Sequence, residues 1–147
     1  MQAPVSAWPA GAVETRLMFK RLLVPVDGGE LSGRAMRASI DLASGLGASI
    51  VGFIAEPFAS LDSAAFAHAH GVLAQFERLA AEAGVAFASH STQASHVDAA
   101  ILDAAHEHRC DLIVMSTHGR GALERWLRAS CTTQVAARCR LSLLVLR

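Results

Sequence analysis

Two periods alternate in the hydrophobic pattern of this chain. "RLLVPVD" (Arg21–Asp27) is a short, nearly continuous apolar run, the pattern of a strand covered on both faces. After a turn at Gly28 and Gly29, Leu31, Ala35, Ala38, Leu42 and Leu46 recur at helical spacing, with Gly45 and Gly47 as candidate C-caps. "SIVGFIA" (Ser49–Ala55) predicts a second strand. Beyond a loop with Pro57, the residues Phe66, Ala69, Leu73, Phe76, Ala80 and Ala83 mark a long helix that Gly84 stops. "VAFASHS" (Val85–Ser91) predicts a weaker third strand, and Val97, Ile101, Ala104 and His108 the next helix. "DLIVMS" (Asp111–Ser116) gives the clearest strand of all. Cys131, Val135 and Cys139 mark the inner face of a last helix over Ala129–Arg138, and "LSLLVLR" (Leu141–Arg147) closes the chain as a strand.

Crossovers of this length force parallel pairing with right-handed connections. The predicted fold class is therefore α/β, an open five-stranded parallel sheet with helices on both faces. Residues 1–17 are rich in Ala, Pro and Gly and lack periodicity, so they are expected to form a flexible extension. Met18 stands directly before the first strand, which makes 18–147 the expected domain and Met18 a second candidate start of translation.

Composition narrows the function classes. Thirteen basic residues balance thirteen acidic ones, so no basic field is available for nucleic acid or an anionic membrane. No apolar run approaches the ~20 residues of a membrane span, and the N-terminus lacks the basic and apolar regions of a secretory signal. Cys110, Cys131 and Cys139 are odd in number and without a C-x-x-C pair, as expected of reduced cytoplasmic thiols. No metal site is evident. His106, His108 and Cys110 cluster in sequence, but on a helix only His106 and Cys110 share a face; His68 and His70 fail by the same geometry.

Open parallel sheets bind ligands beyond the carboxyl ends of their strands, where strand order reverses. Those ends carry Pro25-Val26-Asp27, Ile54-Ala55 and Met115-Ser116, the last followed by Thr117-His118-Gly119-Arg120-Gly121. A carboxylate at Asp27 accepts either from a ribose or adenine group or, as a cap, from backbone N–H groups at the turn. Glycine in the turn after Ser116 lets a backbone approach a phosphate, and the helix start near Ser130 and Thr132 offers unpaired N–H groups. Capping is again the competing reading. Arg120, Arg125 and Arg128 are candidates for phosphate contact or for plain solvation. P-loop, G-x-G-x-x-G and G-x-S-x-G motifs are missing.

"LLVPVDGGELS", "AAILDAAHEHRCDLIVM", "DLIVMSTHGRGALERWLRAS" and "LSLLVLR" together resemble the universal stress protein family across Met18–Arg147. The resemblance implies strand order 3-2-1-4-5, with the last strand at the sheet edge, where it pairs with a second copy across a two-fold axis. In the ATP-binding branch of that family the signature is Gly, two residues, Gly, nine residues, then Gly and Ser or Thr. Here the corresponding positions are Ser116, Gly119, Ala129 and Ser130, so spacing is kept while two glycines are replaced. The resemblance further makes Asp27 the acidic contact to the nucleoside, Pro25 its neighbour, and Ile54 the strand-2 position whose backbone reads adenine. Met115 and Cys131 become apolar neighbours of the nucleotide. A positive φ at Ala129 would cost ~1 kcal/mol or more, and the Ser116 side chain either obstructs the ligand or binds it.

The expectation is a cytoplasmic, homodimeric regulatory protein that binds ATP or another adenine nucleotide weakly, without nucleic-acid or membrane partners. The alternative is a nucleotide-free dimeric interaction module with a degenerate site. Catalysis is not expected; His118 is the one candidate base beside the phosphate turn, and slow ATP hydrolysis or phosphotransfer would have to run through it.

Overall fold

The computed structural model describes residues 19–26, 30–56, 63–116 and 129–146. The N-terminal extension and the segments 27–29, 57–62 and 117–128 lie outside the described residues. The elements are β1 (Arg21–Pro25), α1 (Glu30–Leu46), β2 (Ser49–Glu56), α2 (Ser63–Glu82), β3 (Phe87–Gln93), α3 (Val97–Glu107), β4 (Leu112–Ser116), α4 (Ala129–Arg138) and β5 (Ser142–Leu146). All strand pairs are parallel and the order is β3-β2-β1-β4-β5, with β5 at an edge.

Period-two alternation divides the central strands between two cores. Leu22, Val24, Ile50, Ile54, Leu112 and Val114 face α1 and α2, where they meet Met36, Ile40, Leu73 and Phe76. Leu23, Val51, Phe53, Ile113 and Met115 face α3 and α4, where they meet Ile101, Ala104, Ala105 and Val135. Burial on both faces accounts for the continuous apolar runs of β1, β2 and β4.

The α1 stripe differs in phase from the sequence reading. Its buried positions are Ala35, Met36, Ser39, Ile40 and Ala43, whereas Ala38 is exposed. Ser39 is accommodated because its hydroxyl donates to the Ala35 carbonyl one turn back, at 2.7 Å.

β3 starts two residues later than predicted. Val85, read from sequence as its first residue, instead closes α2. Gly84, at φ +71°, donates to Ala81 O at 3.0 Å, and Val85 N donates to Ala80 O at 2.9 Å. This is the Schellman arrangement, with Val85 as the apolar residue that follows the left-handed turn. Helix α3 ends the same way with a non-glycine residue: Arg109 sits at φ +53° and donates to His106 O, while Cys110 N donates to Ala105 O at 2.8 Å. A side chain in that conformation costs ~1 kcal/mol.

Gly52 serves close approach. A Cβ there would lie 2.6 Å from the Phe87 ring, which crosses β2 to meet Phe76 at a centroid distance of 4.9 Å.

Candidate functional site

Backbone parity shows how the sheet opens at its carboxyl ends. Ser49 N donates to Lys20 O, and Val26 N donates to Phe53 O at 2.8 Å, so even-numbered β1 residues turn their peptide groups toward β2. Asp111 N donates to Arg21 O, so odd-numbered β1 residues turn theirs toward β4. Pro25 is odd, and the N–H that proline lacks is therefore the one that would serve β4. The β1–β4 ladder accordingly pairs Leu22 with Leu112 and Leu23 with Ile113, while β4 keeps pairing with β5 as far as Ser116 and Leu146. The reversal of strand order also falls between β1 and β4. Proline and topology thus part the sheet at the same point.

The predicted residues distribute unevenly around this crevice. Pro25 is half-buried at the end of β1 and Ser116 half-buried at the end of β4. The Met115 side chain is buried among Phe53, Ile113 and the α3–α4 residues. Ala129, Ser130 and Cys131 form the first turn of α4. Because α4 returns antiparallel to the strands, its N-terminus lies at the carboxyl side of the sheet, where unpaired N–H groups and the positive dipole end favour an anion. Asp27, Gly119, Arg120 and His118 lie outside the described residues.

At the end of β2 the structure distinguishes Ile54 from Ala55 and adds Glu56, which sequence reasoning passed over. Ile50 N donates to Ala86 O and Ala94 N donates to Glu56 O, so even-numbered β2 residues serve β3. Ile54 therefore directs its peptide group into the ladder with β3, where it pairs with Ser91. Ala55, one residue on, directs its N–H and C=O toward the β1 side beyond Val26. Glu56, the last residue of β2, is buried, and its Oε1 has no hydrogen-bond partner among the described residues. An unsatisfied buried acceptor of this kind costs about 1–3 kcal/mol. The signal available in sequence was an acidic residue ending an otherwise apolar strand.

Two further groupings lie away from the crevice. A cavity of 410 Å³ between the ends of α3 and α4 is lined by Arg109, Arg138 and Arg140 together with His106, Cys110 and Cys139. Burial pushes the Cys110 thiol up to about 11, opposed by Arg21 and reinforced by Asp111, so this sulfur is protonated and unreactive at neutral pH. His90, Glu107 and His108 bring one donor atom each within 4.8 Å of one another. His108, considered in sequence with His106 and Cys110, thus finds its neighbour across the chain on β3.

A family model described as the universal stress protein family matches residues 18–147. The chain belongs to that family. Curated protein sequences give no match. Among solved structures, a universal stress protein in complex with cAMP is 22% identical, with 88% of this chain and 98% of that one covered at a TM-score of 0.69. Universal stress protein UspA from Lactobacillus plantarum is 20% identical, with 87% and 97% covered at a TM-score of 0.73. A universal stress protein from Archaeoglobus fulgidus in complex with dAMP is 15% identical, with 88% and 99% covered at a TM-score of 0.67. At such identities the likeness concerns the fold, and the five-stranded order β3-β2-β1-β4-β5 is the family's. Among the described residues no helix is long and apolar enough to cross a membrane.

Proposed function

We propose that this member of the family is a cytoplasmic regulatory protein that binds an adenine nucleotide weakly, at the carboxyl ends of β1, β2 and β4. The observation that carries the reading is the parting of β1 from β4 after Leu23, at the point where strand order reverses. The cAMP and dAMP held by the two family members above support an adenine nucleotide, with ATP among the candidates. In this reading Asp27 accepts from the nucleoside, and β2 presents the main chain of Ala55 to adenine, since the Ile54 peptide group is engaged with β3. Gly119, Arg120, Ala129 and Ser130 receive the phosphates, with Ser116 and Met115 beneath the ribose and Cys131 alongside. No catalytic step is proposed: ATP turnover is expected at the background rate and unchanged by His118→Ala.

Calorimetric titration of the full chain with ATP and AMP tests the site. Asp27→Ala is expected to weaken binding tenfold to a hundredfold, the value of roughly 1.5–3 kcal/mol for hydrogen bonds to a charged group. Absence of heat and of a thermal shift at millimolar nucleotide would reject the site.

A second reading, a nucleotide-free dimeric module, is favoured by Ser116 and Ala129 at signature-glycine positions. It is also favoured by the edge strand β5, where Leu144 and Val145 are 36% and 37% exposed. If Ser116→Gly with Ala129→Gly creates binding that the parent lacks, this second reading prevails. A homodimer through β5 is proposed under both readings; light scattering that gives a monomer mass at micromolar concentration would contradict it.

A further inference from the structure

We propose that His90, Glu107 and His108 form a binding site for a transition-metal ion of the Zn2+ class, on the α3 face of the sheet and apart from the nucleotide crevice. The inference does not rest on nucleotide binding. Each residue offers one ligand atom, and the three atoms lie within 4.8 Å of one another. Around a tetrahedral zinc with ligand distances of about 2.0–2.1 Å, neighbouring donors stand about 3.3 Å apart. Rotation of side chains supplies that contraction, most easily at Glu107, which is exposed.

The fold explains the convergence. His90 lies on the α3-facing side of β3, stacked on Phe53 at a centroid distance of 5.7 Å and an interplanar angle of 13°. Glu107 is the last residue of α3 and His108 is its C-cap, at φ −87° and ψ 3°. Departure from helical geometry at His108 lets two successive side chains approach one point, which they could not do within a helix. The His108 ring meets His90 edge-on at 4.7 Å. Both imidazoles are therefore positioned before any ion arrives.

A second observation points to a ligand. The Nε2 atom of His108 is buried and has no hydrogen-bond partner among the described residues. A buried polar atom left without a partner carries an uncompensated desolvation cost, which coordination through that atom would relieve. Two imidazoles and one carboxylate suit zinc, copper or nickel better than magnesium or calcium, which prefer all-oxygen shells. Three protein ligands leave a fourth position open. A groove of 320 Å³ lined by His90 and Glu107 borders the cluster, and along it Asp103 stands one helical turn before Glu107. Water or the Asp103 carboxylate completes the shell. Arg21, whose guanidinium donates to the His108 carbonyl at 3.0 Å, and the adjacent Arg109 lower the affinity of the site for a cation.

The test uses the full chain freed of metal by chelation, titrated calorimetrically with Zn2+ and spectroscopically with Co2+. One saturable ion per chain is expected, with the visible absorption of tetrahedral Co2+ and no thiolate charge-transfer band. Glu107→Gln and His90→Phe are each expected to weaken Zn2+ binding by at least the 10–100-fold that loss of an outer-shell partner already costs. His90→Phe retains the stack on Phe53, and Glu107→Gln alters only an exposed side chain, so the latter decides if the former fails to fold. His106→Ala and Cys139→Ser are expected to leave binding unchanged. The proposal is overturned if the parent shows no saturable Zn2+ binding, if Glu107→Gln binds as the parent does, or if a thiolate band places the ion at the cysteines.

Discussion

At the amino ends of the strands, the Asp111 carboxylate accepts from the backbone N–H groups of Lys20 and Arg21 at 2.8 and 3.0 Å, tying β1 to β4. The Arg21 side chain adds bonds to Ser49 and to the His108 carbonyl. At the carboxyl ends, Glu56 is also a strand-end carboxylate, yet its Oε1 is buried without a partner among the described residues, and Pro25 interrupts the ladder that Asp111 anchors. One end of the same sheet is tied across β1 and β4 by a carboxylate; at the other the β1–β4 ladder stops after Leu23. The bonds that tie the strands and the crevice proposed for the nucleotide thus lie at opposite ends of the sheet.

The difference can be broken at four positions. Asp111→Ala should cost the most, roughly 2–3 kcal/mol for two charge-assisted bonds, read by urea denaturation. Cys110, also at the tied end, carries the next largest effect. Its folded value of about 11 exceeds the ordinary 9.0, so the folded state holds the proton more tightly. The resulting stability is complete below pH 9 and is lost as pH rises toward 11. Cys110→Ala should flatten the denaturation midpoint across that window. Arg109→Gly should raise stability by ~1 kcal/mol, since glycine adopts the left-handed turn without strain. Glu56→Gln should change stability by no more than about 1 kcal/mol, because the carboxyl group it replaces makes no hydrogen bond through Oε1 among the described residues. If Glu56→Gln instead costs as much as Asp111→Ala, the contrast between the two ends collapses.

Sequence carried the strands, their parallel pairing and the helices well, because the central runs are apolar on both sides and the helices periodic. It misplaced the start of β3, since Val85 is apolar for the sake of α2 rather than of the sheet. The α1 stripe slipped in phase because Ser39 satisfies itself against its own helix and so can be buried. At the crevice, strand ends placed Pro25, Ile54-Ala55 and Ser116 at the carboxyl side of the sheet, but the direction of a peptide group depends on strand parity. That parity needs one known hydrogen bond, so sequence did not separate Ala55 from Ile54. The His90–Glu107–His108 cluster was beyond reach for a different reason: its members come from a strand and a helix end, whereas adjacency in sequence brings up only His106, His108 and Cys110, which helix geometry sets apart.

Gly52 and Phe87 constitute a single unit of shape divided between two strands. The ring of Phe87 occupies the space that a side chain at residue 52 would need, 2.6 Å from that position. Neither residue therefore has an intrinsic tolerance to change. Enlargement at 52 is harmful while residue 87 is aromatic and becomes acceptable once it is small, and shrinkage at 87 leaves a void that only enlargement at 52 fills. The pair is epistatic in both directions, so divergence along this part of the β2–β3 seam must proceed through correlated replacements.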